Sequence, residues 1–227
     1  MILASHQPNF MPYMGFFFKM YLCDHFTLSD ACQYSKKEFH SFNYFDEGVR
    51  ARITVPVERA AAPINQIRLS DWNYTKKKLV KRLQNDYCKS PFYKQFFPLF
   101  HDILDKEYVY LSTINTALIK QFYSLFNMKC ELSLESELGE VATSGDASHQ
   151  ILSICKAKKC DTYLSGIGAK TYLDTNLLEC NGIKVLWSKY EDRSQLPNCS
   201  AFDYLMKNGP VIPDDWKKER MRIHSEN

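Results

Sequence analysis

His6-Gln7-Pro8-Asn9 stands where one apolar run ends and another begins, and it places an imidazole and two carboxamides within four residues. An imidazole ordinarily titrates near neutral pH, so His6 suits a general base. Gln7 and Asn9 would orient a substrate, backed by Tyr13. A second polar group holds Asp30, Gln33, Tyr34, Ser35, Lys36 and Lys37, and Asn43 continues it. Asp30 can orient the base, hold a metal through water or position an amine; Lys36 and Lys37 can hold a sugar diphosphate. A third group, Ser144-Gly145-Asp146-Ala147-Ser148, opens a helix. So does a fourth, Ser165-Gly166-Ile167-Gly168-Ala169-Lys170. In the fourth, a phosphate site of Ser165, Gly166, Gly168 and Lys170 is expected: the glycines let backbone N–H groups approach an anion, the helix start adds partial positive charge, and Lys170 adds a full one. Its spacing is neither G-x-x-x-x-G-K-[ST] nor G-x-G-x-x-G. Each group also has a plainer role: His6 and Asn9 tying down a turn, Asp146 capping its helix, Lys170 solvated beside a tight turn. No Ser-His-Asp or Cys-His arrangement emerges from the spacing. The other histidines and the eight cysteines lack metal-ligand spacing, so no metal site is expected.

These groups need elements to position them. Residues 2–4 read as a buried strand, and Pro8 and Pro12 forbid an early helix after it. The apolar run 14–22 reads as a helix and 25–28 as a second strand, which makes a parallel βαβ unit. Residues 46–48 suggest a turn, 50–57 a strand ended by Pro56, 60–63 a loop and 64–69 a weak edge strand. From 75 to 127 the pattern becomes helical: Leu79, Leu83 and Tyr87, then Phe92, Phe96, Phe97 and Phe100, then a third run from Leu111 to Phe126. Ser90 looks like the N-cap of the middle helix, with Pro91 in its first position. Strand and helix then alternate: strand 130–134, helix 146–158, strand 161–164, helix 169–180 stopped by Gly182, strand 183–187. A short helix at 201–207 and a frayed one after Trp216 close the chain. The expected fold is α/β, a mainly parallel sheet flanked by helices. Residues 1–190 would form a single domain with a helical lobe inserted at about 75–128, and 191–227 a C-terminal extension. Ligands bind such sheets beyond the carboxyl ends of the strands, which is where the polar groups fall.

A chain of 227 residues, 45% hydrophobic and 24% charged, is ample for a core. Its net charge of +3 is too small to argue for nucleic acid. No apolar run approaches the ~20 residues of a membrane span. Met1 leads into a strand without a basic n-region, so a cytoplasmic location is expected, with cysteines that stay reduced and serve as small core residues.

The string HQPNFMPYMGFFFKMYLCDHFTLSDACQYSKKEFHSFN resembles the opening signature of the WbqC-like family. ITVPV at 53–57 and DTYLSGIGAKTYLD at 161–174 resemble its later blocks, so the likeness spans roughly residues 1–190. It implies a bacterial protein from gene clusters for surface polysaccharide: O-antigen, capsule or flagellar glycan. The arrangement also resembles the nucleotidylyltransferase-like and Rossmann-like α/β folds, which gather a histidine-bearing first turn and a late Ser/Lys loop around a nucleotide; the H-x-G-H pair of that class is absent, with Asn at position 9. The resulting expectation is a transferase or ligase that forms an amide on an amino-sugar nucleotide from an activated acyl donor. The alternatives are nucleotidyl transfer to a sugar phosphate, using a nucleoside triphosphate with Mg²⁺, and a non-catalytic scaffold of a glycan-synthesis complex. The expected small-molecule partner is a nucleotide-sugar or nucleotide.

Overall fold

The computed structural model describes residues 1–46, 50–58, 61–139, 146–192 and 198–226. β1 (Ile2–His6), α1 (Met14–Leu22) and β2 (His25–Leu28) form the βαβ unit that the pattern of apolar runs and prolines predicts. An antiparallel hairpin follows, β3 (Phe42–Asp46) and β4 (Arg50–Thr54), and then three helices, α2 (Trp72–Tyr87), α3 (Tyr93–Leu104) and α4 (Leu111–Leu125). The chain returns to the sheet through β5 (Glu131–Leu134), α5 (Ala147–Ala157), β6 (Thr162–Gly166), α6 (Thr175–Cys180) and β7 (Lys184–Ser188). It ends in α7 (Ala201–Asn208) and α8 (Asp214–Glu226).

The five strands of the main sheet are all parallel, in the order β5-β2-β1-β6-β7. β1 is central, and because successive side chains leave opposite faces of a strand it feeds two cores. Ile2 and Ala4 join the larger, with α1 and the helical lobe; Leu3 joins Leu152, Ile154 and Leu178 of α5 and α6 on the other face. The result is helices on both faces of a parallel sheet. The lobe is continuous with the larger core: Phe122 packs on Phe17 of α1, and Phe100 on Phe202 of α7. Among the described residues no helix is long and apolar enough to cross a membrane.

Several elements differ from the sequence-based expectation. Residues 42–46 are a strand, because the segment pairs with β4 from Phe42↔Thr54 to Asp46↔Arg50. Residues 64–66 form a 3-10 turn, and the bridges Val57↔Leu69 and Arg68↔Tyr110 replace the edge strand. Ser90 accepts the Tyr93 N–H through its backbone carbonyl, so a turn precedes α3 and Ser90 is not its N-cap. The expected helix 169–180 is split: a 3-10 turn, Ile167–Thr171, is followed by α6, which starts late because the Asp174 carboxylate accepts the Leu177 N–H at 3.0 Å. α8 is not frayed; it buries Trp216 and Ile223, and Arg220 and His224 donate to the last carbonyls of α1, Tyr21 O and Leu22 O. The turn expected at 46–48 and the loop at 60–63 lie partly outside the described residues, as do Ser144 and Gly145 of the third polar group.

Candidate functional site

The strand order creates a switch point. From β1 the chain proceeds to the β2–β5 side of the sheet, whereas β6 and β7 occupy the other side, and crevices open where the order reverses. Here the crevice is enlarged, because β1 and β6 pair only at Ile2↔Thr162 and Leu3↔Tyr163. Beyond that point Ser5 and His6 part from Ser165 and Gly166. The space between them is a cleft of about 450 Å³, lined also by Gln7, Tyr13, Gly15 and Lys19 on the β1–α1 side and by Gly168 and Tyr172 on the β6 side.

The wall formed by residues 7–13 is held rigidly. Two prolines and Met11, at φ 42°, keep this loop out of regular structure, so its carbonyls need outside donors. Asn115 Nδ2 donates to Pro8 O at 2.7 Å, and Asn43 Nδ2 donates to Phe10 O at 3.2 Å and Met11 O at 2.6 Å. Ser200 Oγ adds a second bond to Met11 O at 2.8 Å, and the Ala201 N–H bonds Pro12 O at 2.7 Å. Gly15 completes the wall. A Cβ there would lie 2.3 Å from Tyr13 Cε2 and 2.7 Å from Tyr190 Cδ1, so only glycine lets the two rings close over the start of α1. Tyr13 offers no side-chain cap to that helix, leaving first-turn N–H groups beside the cleft.

His6 donates from Nδ1 to Gln7 O at 3.0 Å, since a carbonyl can only accept; the atom left for a ligand is Nε2, without a proton. Its ring packs edge-on against Phe16, and burial together with nearby Lys19 lowers its pKa to about 3. The ordinary pKa expected of His6 is therefore corrected: it is a neutral acceptor at every physiological pH. Lys19, the lone charge in the apolar helix α1 and not among the expected site residues, lies next to it. Successive carbonyls of a strand point opposite ways. His6 O bonds the Ser29 N–H on the β2 side, so Ser5 O faces the gap that β6 leaves, and Lys19 Nζ donates to it at 2.7 Å. Burial pulls the Lys19 ammonium down to about 8. Its signal in the sequence was a single lysine one turn beyond Gly15, inside a run of aromatic and aliphatic residues. On the floor, Ser5 Oγ and Tyr163 Oη lie 3.0 Å apart.

The residues expected to form the site thus fall into two sets. His6, Gln7, Tyr13, Ser165, Gly166 and Gly168 line the cleft. Asn9 is buried away from it, and Asn43 is committed to the loop carbonyls. Asp30 spends both oxygens on Ser136, accepting its N–H at 3.0 Å and its hydroxyl at 2.7 Å. Tyr34 Oη meets Ser41 Oγ at 2.8 Å, Ser35 Oγ accepts the Lys37 N–H, and Gln33 and Lys36 are exposed outside the lining. Lys170, expected to hold phosphate, sits over the Trp187 ring at 5.2 Å instead of facing the cleft. Asp146 is the N-cap of α5, accepting the N–H groups of Ser148 and His149. Among the described residues, no group of three or more His, Cys, Asp or Glu side chains is placed to hold a metal ion.

Four buried groups set the acid response of the fold. Burial lowers His40 to about 4, alongside His6 at about 3, and raises Glu135 to about 7 and Asp203 to about 6. Between about pH 5 and 6 the unfolded chain carries nearly two extra protons on the histidines, and the folded chain nearly two extra on the acids. The opposing terms cancel, and stability is expected to be almost level across that window. Glu135→Gln removes one proton from the folded side only. Its stability should then fall by about 1.4 kcal/mol per unit as pH drops from about 6 to 5. His40→Gln should reverse the slope, losing stability as pH rises. Urea unfolding at a series of pH values measures both; parallel, level curves for all three proteins would refute the assignment.

A relative from Mycobacterium tuberculosis, the uncharacterized protein Rv1507c, is 26% identical over 227 residues, spanning 93% of this chain and 96% of its own. No solved structure matches the chain. The WbqC-like protein family matches residues 7–214, most of the length, and the chain belongs to that family.

Proposed function

We propose that the cleft binds a nucleotide-linked amino sugar and that the protein is a transferase or ligase of bacterial surface-polysaccharide synthesis, forming an amide on that sugar. One observation carries the reading: among the described residues the lining includes the ammonium of Lys19 and no carboxylate, while Lys189, also in the lining, pairs with Glu191. A cleft of this charge at a switch point suits an anion. Lys19 and the start of α1 would meet the diphosphate, since helix N-termini favour negative charge. The hydroxyls of Ser5, Ser29, Ser165 and Ser188 would meet the sugar. Amide formation joins the sugar nitrogen to the acyl carbon and breaks the bond to the acyl carrier, which leaves with the bonding pair and takes up the proton that the amine gives up. His6 Nε2 would receive the hydrogen bond from that amine; its low basicity makes it a positioning acceptor in the resting enzyme. An anion beside Lys19 offsets part of the charge that depresses it.

Thermal unfolding in the presence of UDP- and dTDP-amino sugars, ATP, CTP and acyl-CoA, each with and without Mg²⁺, tests the proposal. A ligand at about 100 times its Kd adds roughly 2.7 kcal/mol, a rise of about 5–10 °C for a chain of this size. The expected responders are the nucleotide sugars. A response confined to triphosphate with Mg²⁺ would replace the proposal by nucleotidyl transfer, and no response at all by a non-catalytic scaffold.

A further inference from the structure

The β6 side of the cleft differs in kind from the α1 side. α5 contributes Ala147, Ile151 and Ile154 to the lining, one helical face at i, i+4 and i+7. The 3-10 turn after β6 adds Ile167 and Ala169 and, directly after it, Tyr172. Among the described residues neither segment contributes a charged side chain to the lining. A ligand with its phosphates against Lys19 therefore meets an uncharged, largely apolar surface with the rest of its length.

The lip of that surface is open. Tyr172 is 66% exposed and Ile167 is 43% exposed, whereas the next residue, Leu173, is buried in the smaller core with Ile154 and Leu178. The backbone is pinned around the ring. The N–H groups of Tyr172 and Leu173 both donate to Ala169 O, at 3.1 and 2.9 Å, and the Asp174 N–H donates to Ser148 Oγ at 3.0 Å. One exposed aromatic residue needs no explanation. Two large apolar side chains on the lip of one cleft, carried by a backbone that the core fixes, form a prepared surface. Tyrosine has only two side-chain torsions to lose when a ligand settles on it.

The reactants of the proposed reaction have two parts that suit such a surface, the acyl group and the nucleotide base. An acyl chain gains in proportion to the area it removes from water, so it calls for an enclosed pocket. Tyr172 encloses nothing. A planar base needs one face of a ring and leaves its own other face to water, and offset stacking is an arrangement that aromatic pairs prefer.

We infer that Tyr172, with Ile167 of the same turn, is the platform on which the base of the bound nucleotide stacks, its phosphates lying toward Lys19. The inference rests on the nucleotide-sugar reading of the cleft and adds the part of the ligand that this reading leaves unplaced. Every base has a π face, so the platform favours nucleotides over base-free phosphates without selecting one base.

Calorimetric titration of the full chain with UDP, and with pyrophosphate read by its competition against UDP, tests it. Tyr172→Ala should weaken UDP binding by about 10-fold or more, the usual loss when one stacking ring is removed. Pyrophosphate, which has no base, should compete with the same affinity in this variant as in the wild type. Tyr172→Phe keeps the ring and should bind UDP within about 3-fold of the wild type. Lys19→Met should weaken UDP and pyrophosphate alike. The ring is mostly exposed, so neither Tyr172 variant should shift the melting temperature. Wild-type UDP affinity in Tyr172→Ala, an equal weakening of pyrophosphate there, or lost UDP affinity in Tyr172→Phe would each overturn the platform and leave nucleotide binding standing. No binding of UDP to the wild-type protein would overturn the nucleotide-sugar reading and this inference with it.

Discussion

Replacing Lys19 by methionine is expected to weaken the binding of a UDP-linked amino sugar by about 100-fold, equivalent to about 2.7 kcal/mol, while changing the stability of the unliganded protein little. Methionine keeps most of the length of the side chain and its apolar contacts in α1. It removes a buried ammonium, which favours the fold, and leaves Ser5 O without its donor, which costs about 1–3 kcal/mol. The two effects oppose each other in the empty protein. With an anion bound they act together, because charge attraction and hydrogen bond disappear at once. Arginine should not restore affinity, since a planar guanidinium cannot take the place of a compact ammonium beside Ser5.

The pH dependence follows with a definite sign. Lys19 loses its proton near pH 8 in the empty protein, and a bound phosphate raises that value. Binding therefore takes up a proton above about pH 8, and affinity should fall as pH rises, by up to about tenfold per unit. The Lys19→Met protein should lack this limb. Calorimetry in buffers of different ionisation enthalpy reads proton uptake directly, and an unchanged profile in the variant would remove Lys19 from the site.

The contrast between Lys19 and Lys170 shows how much of this chemistry is legible without a fold. Lys170 stands in a string that looks made for phosphate, after a strand and among glycines, yet the 3-10 turn directs it onto Trp187. Lys19 stands in an apolar helix and looks like a solvent-facing exception. The local pattern was right for β1, α1, β2, β6 and β7, since each is an apolar run bounded by proline, glycine or a polar turn. It also placed His6 and Gly166 at strand ends. It could not put those ends side by side, because the pairing of β1 with β6 joins residues about 160 apart and then breaks off after two pairs. The cleft is a product of that interruption. β3 was missed for a related reason: Phe42 and Asn43 are both buried, so the expected alternation is absent, and only pairing with β4 makes the segment a strand. Asp30 and Asn43 carry the chemistry of site residues, but the fold spends it on Ser136 and on the loop backbone, respectively.

Asn43→Ala is accordingly expected to cost about 3 kcal/mol of stability, a loss of about 6–12 °C in melting temperature. The side chain is almost fully buried and bonds three backbone groups: Phe10 O, Met11 O and the Tyr44 N–H, the last at 2.8 Å. Ser200→Ala alone should cost about 1 kcal/mol, since its hydroxyl also accepts the Phe202 N–H at the start of α7. The pair should not be additive. Each single variant leaves Met11 O one donor, and the double variant leaves it none in a loop where φ is already positive. A coupling of about 1 kcal/mol or more beyond the sum is expected from denaturant unfolding of the four proteins in the cycle. Additivity would mean that Met11 O finds another donor, and that the wall of the cleft is held chiefly by Asn115. Loss of nucleotide-sugar affinity at unchanged stability would instead return Asn43 to the role that its residue type first suggested, contact with the substrate.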